Sequence, residues 1–161
     1  MRVGIGYDVH ALVPNRPLVL GGVTIPFELG LEGHSDADVV CHAIADAILG
    51  AAGLGDIGHH FPDTDPRFAG ISSLEILRRV RKQLQAHGLQ VANVDAVIIA
   101  QSPRLAPFIP AMREHVADAL GTKPGVVSVK ATTTEGLGFE GRGLGIASQA
   151  VALLISESAD L

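Results

Sequence analysis

The sequence predicts an α+β fold, in which a mixed β-sheet carries about three helices packed on one face. Apolar segments with strand character lie at both ends and in the middle of the chain, and three segments with helical periodicity lie between them. The length of 161 residues suits one domain, 1–161, with a substantial core. A sheet covered on one side often hides its other face by oligomerisation.

The strands are predicted from apolar runs bounded by turn residues. Residues 1–12 form an opening strand, the turn VPNRP follows, and LVLGGV at 18–23 is predicted to be a short return strand. VDAVIIA at 94–100 is apolar enough for a buried strand, and VVSVKA at 126–131 predicts another. The pattern of 146–155 fits a strand or a helix. We favour a strand because a smaller sheet would not support three helices.

The first helix is predicted to begin at the motif HSDAD. Ser35 acts as its N-cap, and Asp38 reaches back as in a capping box. The helix runs to about Ala52, with Gly53 just past its end. Residues 53–70 have no periodicity and many turn formers, so we expect a long loop there, and long loops in compact domains are often functional.

Two further helices follow the same logic. Ser72 and Glu75 form a second capping box for a helix over 73–87. That helix places Leu77, Val80 and Leu84 on one face. The third helix covers 107–121, with proline near its start and glycine at its end. The run TTTEGLGFEGRGLG after the strand at 126–131 is predicted to be a glycine-rich loop.

Charge and composition limit the partners of this chain. Seventeen acidic residues against twelve Lys and Arg give a net charge of −5, which disfavours non-specific binding to nucleic acid or an anionic membrane. An anionic ligand would need a metal ion, a helix N-terminus or backbone N–H groups. Cys41 is the only cysteine, and neither a signal-like segment nor a membrane-length apolar run is present, so we expect a cytoplasmic protein.

Asp8 and His10 in GYDVH form a candidate metal site. Residues i and i+2 of a strand point to the same side, about 7 Å apart. His42 on the first helix is a candidate third ligand, and one carboxylate with two imidazoles suits Zn²⁺ with an open fourth position. The same residues also fit a hydrogen-bonded Asp–His pair and an ordinary core histidine, so the pattern leaves both interpretations open.

The stripe Asp38, His42 and Asp46 favours the metal interpretation. These residues share one helix face, at i, i+4 and i+8. A metal-bound histidine usually donates its other N–H to a carboxylate, and Asp38 or Asp46 is predicted to accept it. Electrostatic matching to the helix N-terminus explains Asp36 and Asp38 well, but it explains Asp46 poorly.

Three loops carry further polar candidates. His34 beside Ser35 at a helix N-terminus favours phosphate, although Ser35 alone fits a plain cap. The loop GDIGHHFPDTDP at 55–66 lacks the EF-hand pattern, and it suits either a polyol or solvent. The threonines in 130–143 suit a phosphate or base, or simply a strand, and Glu135 after them suits Mg²⁺ beside phosphates. The chain has no P-loop and no nucleophile elbow.

Five motifs together resemble the 2-C-methyl-D-erythritol 2,4-cyclodiphosphate synthases. They occur in order over nearly the whole chain: MRVGIGYDVH, HSDAD-x-x-x-H, GDIGHHFPDTDP, IIAQSPRLAP and KATTTEGLGFEGRG. The resemblance implies a reaction of the non-mevalonate isoprenoid pathway, with 4-diphosphocytidyl-2-C-methyl-D-erythritol 2-phosphate as the substrate. Its 2-phosphate attacks the β-phosphorus, which closes a cyclic diphosphate and releases CMP.

The same resemblance implies roles for individual residues. Asp8, His10 and His42 are similar to ligands of one Zn²⁺ per subunit, and Glu135 to a ligand of Mg²⁺ or Mn²⁺ at the diphosphate. His34 and Thr133 match residues that stabilise the transition state. Substrate contacts are implied for Ser35, Asp56, Ile57, Gly58, Phe61, Pro62, Asp63, Thr64, Asp65, Ala100, Gln101, Ser102, Pro103, Arg104, Leu105, Ala106, Thr132, Thr134, Phe139 and Arg142.

The resemblance also implies a homotrimer, with sheets facing the three-fold axis and active sites between adjacent subunits. In the family, Phe139, Arg142 and position 144 line an axial cavity that holds isoprenoid diphosphates. Leu144 stands here where an acidic or polar residue is common. We expect it to make the cavity more apolar and to deprive Arg142 of a local partner.

Two other functions fit the residues when the resemblance is set aside. A zinc-dependent phosphoester hydrolase would use the same ligands to activate water and would yield an open phosphate with a nucleotide. A non-catalytic trimer that senses prenyl diphosphates would use the apolar region around Leu144. Such a sensor would have no need of His10, His42 and Glu135 together.

Overall fold

A computed structural model describes residues 1–157 and contains two sheets. In chain order the strands are β1 (Arg2–Pro14), β2 (Leu18–Leu20), β3 (Val23–Ile25), β4 (Leu29–Leu31), β5 (Leu89–Ile99), β6 (Val127–Thr132) and β7 (Gly145–Ser156). Five of them form a sheet in the order β4-β1-β7-β5-β6, whereas β2 and β3 form a separate hairpin. Among the strands of the described residues, only the β5–β6 pair is parallel, so the sheet is mixed as predicted.

Residues 1–157 contain three long α-helices and two short ones, which accompany the sheet. They are α1 (Val39–Ala52), α2 (Ile57–His60), α3 (Ser73–Ala86), α4 (Ile109–Leu120) and α5 (Gly138–Gly141). Helix α1 packs on β1 and β7, α3 packs on α1 and α4, and α4 packs on β6. The predicted α+β fold with three main helices is confirmed. In the described part of the chain, every helix is too short or too polar to cross a bilayer.

Helix α1 lies unusually close to β1 because two glycines of the strand face it. A Cβ atom at Gly6 would lie 2.0 Å from the carbonyl oxygen of Ala43, and one at Gly4 would lie 2.1 Å from that of Ala47. No real Cβ tolerates such distances, so the backbones of helix and strand touch directly. Asp8 and His10 continue the same face of β1 toward the helix.

The opposite face of β1 is apolar, and no other element within residues 1–157 covers it. Val3 and Ile5 are 69% and 64% exposed, and Tyr7 and Val9 on the same face are also exposed. Val151 lies on the neighbouring strand β7, where it pairs with Ile5. It is also exposed, so the exposed face extends to a second strand. Apolar residues contiguous over two strands are typical of a surface that another protein covers.

The segment 18–23 is two strands, so the prediction of a single return strand is wrong. Gly21 and Gly22 have φ values of +56° and +72° and form a tight turn between β2 and β3. Glycine adopts this left-handed region without steric cost, which suits a two-residue hairpin. Strand β4 was not predicted, since three residues carry too little pattern.

Helix α1 begins at Val39, and its N-cap is Asp38 rather than the predicted Ser35. The buried Asp38 carboxylate accepts hydrogen bonds from the N–H groups of Val40 and Cys41, each at 3.1 Å. It also accepts from both turn glycines of the β2–β3 hairpin, at 2.9 and 2.7 Å. One carboxylate therefore fixes the start of α1 and the hairpin together, a tertiary role that the local pattern does not reveal.

The second predicted capping box is also absent. Ser72 occupies the N-cap position of α3, but its side chain makes no capping hydrogen bond. Glu75 instead accepts a hydrogen bond from Arg79 Nε at 3.1 Å. The helix itself lies where its periodicity predicts.

Other elements differ from prediction mainly at their ends. Strand β5 begins five residues before the predicted 94, beyond a register shift between Val91 and Asn93 that interrupts the alternation. The predicted loop over 53–70 contains α2 and a 3₁₀ turn at Pro66–Phe68, and the glycine-rich loop contains α5. Residues 145–156 are a strand, as favoured.

Candidate metal centre and active site

Asp8 and His10 on β1 and His42 on α1 come together at one point. Their ligand atoms all lie within 4.8 Å of one another, so the three side chains form a candidate metal site. Asp8 Oδ2 lies 3.0 Å from His42 Nδ1 and 3.1 Å from His10 Nε2. The direct contact between α1 and β1 makes this convergence possible, because it brings the helix side chains to the strand.

The donor atoms of this cluster suit a divalent cation. Within residues 1–157, His10 Nε2 is buried and makes no hydrogen bond, although Asp8 Oδ2 lies 3.1 Å away. A buried polar atom without a partner is costly unless something else binds it. Two imidazoles and a carboxylate are common zinc ligands and leave a fourth position open.

The electrostatics of the cluster keep Asp8 ionised. Burial by itself raises the pKa of Asp8, but its close contacts and charge interactions with His10 and His42 outweigh burial and lower the pKa well below its usual value. Contact with the Asp8 carboxylate in turn raises the pKa of His10, against the effect of burial. The site therefore offers one fixed negative charge to a cation.

The carboxylates of Asp38 and Asp46 do not accept a hydrogen bond from the His42 ring, although the Asp38 carbonyl accepts the backbone N–H of His42 at 3.0 Å. Asp38 caps α1, and Asp46 accepts the N–H of Ile57 at 2.8 Å. Burial raises the pKa of Asp46. The second nitrogen of His42, Nε2, instead faces Ser73 Oγ at 2.9 Å and Ser35 Oγ at 3.3 Å. Sequence reasoning missed Ser73, which belongs to a different helix.

The cluster opens into a cleft of about 230 Å³. Predicted site residues that line it are Asp8, His10, His34, Ser35, His42, Ile57, Gly58, Phe61 and Asp63. Phe68, Ile71 and Ile76 complete the wall and were not predicted. The cleft thus combines the metal ligands with the phosphate and polyol candidates, over an apolar floor.

Arg16 holds the loop that carries His34, another contact that was not predicted. Its Nη1 donates to the carbonyl of Gly33 at 3.0 Å, and its Nη2 donates to that of Ser35 at 2.9 Å. The two bonds bracket His34 and fix the backbone on both sides of it.

A second cleft, of about 340 Å³, lies at the carboxyl ends of β5 and β6. Predicted residues that line it are Ala100, Gln101, Pro103, Arg104, Leu105, Ala106, Thr132 and Thr133, together with Ala131. These segments follow β5 and β6, and the carboxyl ends of parallel neighbours meet at one edge of a sheet, where ligands often bind. Ala100 N–H donates to the carbonyl of Thr132 at 3.0 Å, and this hydrogen bond joins the segment after β5 to the end of β6.

The remaining predicted residues line neither cleft: Asp56, Pro62, Thr64, Asp65, Ser102, Thr134, Glu135, Phe139 and Arg142. Glu135 is exposed and has a φ of +56°, a strained value for a residue with a side chain. Arg142 Nε donates to the Gly138 carbonyl at 3.1 Å, so Arg142 has a local backbone partner despite Leu144.

The two clefts are well separated within one chain. Val9 pairs with Ala147, Ala147 with Ile99, and Ile99 with Thr132, so three strand spacings divide the metal cluster from the threonine run. At about 4.8 Å each, these spacings amount to roughly 14 Å. A single chain therefore does not unite the two halves of the predicted site.

The chain is similar to proteins of known name over nearly its whole length. The YgbB family model matches residues 1–155. A relative from Moorella thermoacetica, named 2-C-methyl-D-erythritol 2,4-cyclodiphosphate synthase, is 63% identical over 159 residues, which cover 99% of this chain and 98% of the relative.

Solved structures show the same fold. The bifunctional IspDF of Campylobacter jejuni superposes with a TM-score of 0.93 at 44% identity, over 98% of this chain, which spans only 43% of that longer chain. A Plasmodium falciparum IspF in complex with CDP superposes with a TM-score of 0.86 at 34% identity, covering 98% of this chain and 97% of the other.

Proposed function

Because this chain belongs to the YgbB family, we propose that it converts 4-diphosphocytidyl-2-C-methyl-D-erythritol 2-phosphate to 2-C-methyl-D-erythritol 2,4-cyclodiphosphate and CMP. The reaction is a cyclising phosphorus–oxygen lyase step in the non-mevalonate isoprenoid pathway. The observation that carries the proposal is the Asp8–His10–His42 cluster, which opens into a cleft lined by His34 and Ser35. Such a cleft suits a substrate that brings several phosphates to one place.

Asp8, His10 and His42 are proposed to hold Zn²⁺, and Glu135 to hold Mg²⁺ or Mn²⁺. Bound cations of this kind neutralise phosphate charge and align the attacking and leaving oxygens. The ionised Asp8 supplies the negative charge that such a cation needs. The strained, exposed backbone of Glu135 supports its role, because strain of this kind clusters at functional sites.

The chain's own side chains are proposed to bind and orient the phosphates. His34 is held between the two carbonyls that Arg16 grips, which fits a group that must donate to a phosphate oxygen in a fixed direction. Thr133 is proposed for the same task from the second cleft. Intramolecular attack then needs no protein nucleophile, only alignment and the exclusion of water by Phe61, Phe68 and Ile71.

The second cleft is proposed to bind the cytidine part. Segment 100–106 and Thr132 offer backbone and hydroxyl groups at the carboxyl edge of two parallel strands, and Thr134, just beyond the cleft, is proposed to contact the same part of the substrate. Gln101 Oε1 accepts the N–H of Gly136 at 3.3 Å, which ties the two segments. The relative from Plasmodium falciparum in complex with CDP supports a cytidine nucleotide as the ligand class.

We further propose a homotrimer with each active site between two subunits. The exposed apolar face of β1 needs a cover, and a copy of the same face would provide one. The separation of roughly 14 Å between the two clefts supports this, since the metal cluster of one subunit would meet the cytidine cleft of its neighbour.

The reaction can be followed by ³¹P NMR with the purified chain, substrate, Zn²⁺ and Mg²⁺. The expected spectrum shows the coupled pair of a cyclic diphosphate together with CMP, and an Asp8→Asn variant shows neither. An open-chain phosphate with a nucleotide would indicate a hydrolase instead. Absence of turnover together with binding of a prenyl diphosphate would favour a sensor and overturn the proposal.

A further inference from the structure

Ser73, the first residue of α3, is fully buried between His42 and Asp36. Its Oγ lies 2.9 Å from His42 Nε2 and contacts Asp36 Oδ1 closely. Its backbone N–H donates to Asp36 Oδ2 at 2.9 Å. Three segments of the chain thus meet at one hydroxyl.

The chemistry of these groups fixes the direction of each hydrogen bond. An ionised carboxylate only accepts, so the single hydroxyl proton of Ser73 goes to Asp36. The oxygen of Ser73 then accepts, and its donor is the Nε2–H of His42. With its proton on Nε2, a neutral His42 imidazole would offer the lone pair of Nδ1, which faces Asp8 Oδ2 at 3.0 Å, to a cation bound at the site.

From this geometry we propose that Ser73 and Asp36 are positioning residues for the metal ligand His42. The inference rests on the proposed metal site and adds to it. The chain Asp36–Ser73–His42 holds the proton on Nε2, keeps the ring oriented, and leaves Nδ1 free for the cation. It performs through a hydroxyl the task that a directly bonded carboxylate usually performs.

The same contacts connect the site to α3. Asp36 takes the place of the missing Ser72 side-chain cap, because its carboxylate accepts from the first N–H of the helix. Asp36 N–H also donates to the Ile71 carbonyl at 3.2 Å, which docks its loop on the segment before α3. Ser35 lies farther from His42 Nε2, at 3.3 Å, and its oxygen already accepts the N–H of Ala37.

Zinc affinity measured by competition with a chromogenic chelator tests the inference without reference to turnover. Ser73→Ala is expected to bind Zn²⁺ about 10- to 100-fold more weakly than the native chain. Ser72→Ala is the matched control, since it removes a neighbouring hydroxyl that makes no capping bond, and it is expected to bind as the native chain does. Native affinity in Ser73→Ala would overturn the inference.

A double-mutant cycle separates a relay from two independent effects. Asp36→Asn is expected to weaken Zn²⁺ binding less than Ser73→Ala does, and the double variant is expected to match Ser73→Ala alone, because Asp36 acts through Ser73. If the two substitutions weaken Zn²⁺ binding independently, their fold-losses of affinity multiply in the double variant, and that result would contradict the relay. If Ser73→Ala fails to fold by circular dichroism, Asp36→Asn decides alone, and native affinity in that variant overturns the inference.

A His42→Ala variant distinguishes the two proposals. Loss of Zn²⁺ in His42→Ala with native affinity in Ser73→Ala would defeat only the positioning role. Retention of Zn²⁺ in His42→Ala would defeat the metal site itself.

Discussion

His42 gains its chemistry from side chains that three other segments deliver. Asp8 comes from β1, Ser73 from the start of α3 and Ser35 from the loop before α1. These contacts restrain the ring at both of its nitrogens, Nδ1 and Nε2, and burial excludes water that would compete for them. A ligand held in this way is already oriented before a cation binds.

Glu135 offers a direct test at the scale of one residue. Glu135→Gln keeps the volume but removes the charge, so zinc content is expected to stay native while Mg²⁺ stimulation of CMP release is lost and kcat falls about 100-fold. Glu140→Gln, a change of the same kind on α5, is the control. An unchanged Mg²⁺ response in Glu135→Gln would remove Glu135 from the second metal site.

At the scale of elements, the site depends on the direct contact between α1 and β1. Gly4 and Gly6 leave no side chain between the strand and the helix, and alanines 43 and 47 face them from α1. Any separation of the two elements would move His42 away from Asp8 and His10. The geometry of the metal site therefore depends on these glycines, because they set the distance between β1 and α1.

Gly6→Ala is expected to lower the free energy of unfolding by about 1–3 kcal/mol and to weaken Zn²⁺ binding, because the new methyl group would displace α1. Urea denaturation and chelator competition measure the two effects. Gly125→Ala is the control, since a Cβ there meets nothing within 4 Å. Native stability in Gly6→Ala would show that the close packing has no consequence for the site.

The sequence predicted elements and residues whose signal is local. Helix α3 follows from helical periodicity, helix α4 from its proline and glycine signals, and the shared side of Asp8 and His10 from their spacing on a strand, whereas strand β7 was chosen over a helix on the size of the sheet. The N-cap of α1 was mispredicted because the Asp38 carboxylate accepts hydrogen bonds from the β2–β3 hairpin as well as from its own helix. Ser73 was missed because it contacts His42 across 31 positions of the chain, and only the folded arrangement of α1 and α3 creates that contact.

At the scale of the whole molecule, two observations support the proposed homotrimer. The apolar face of β1 is exposed, and the two clefts of the proposed site lie on different strands of the same sheet. A trimer would account for both observations, because the contact that covers the sheet would also place the metal cluster of one subunit beside the second cleft of its neighbour. In that arrangement, catalysis would depend on the contact between subunits.

Ile5→Asp places a charge at the centre of the exposed face, so sedimentation is expected to show monomers and CMP release is expected to disappear, while each chain still binds Zn²⁺. Burial of an unpaired carboxylate in an apolar interface is the physical reason. Gln85→Asp, on the exposed side of α3, is the control and should remain trimeric. A native chain that sediments as an active monomer would contradict the assembly.

The central claim is that three side chains bind one divalent cation facing an open cleft. Metal analysis combined with CMP release tests it most directly, in the native chain, in His42→Ala and in His87→Ala, whose histidine is exposed on the far end of α3. We predict one Zn²⁺ per chain and turnover in the native chain and in His87→Ala, and neither in His42→Ala. A His42→Ala chain that turns over fully without metal would contradict the account.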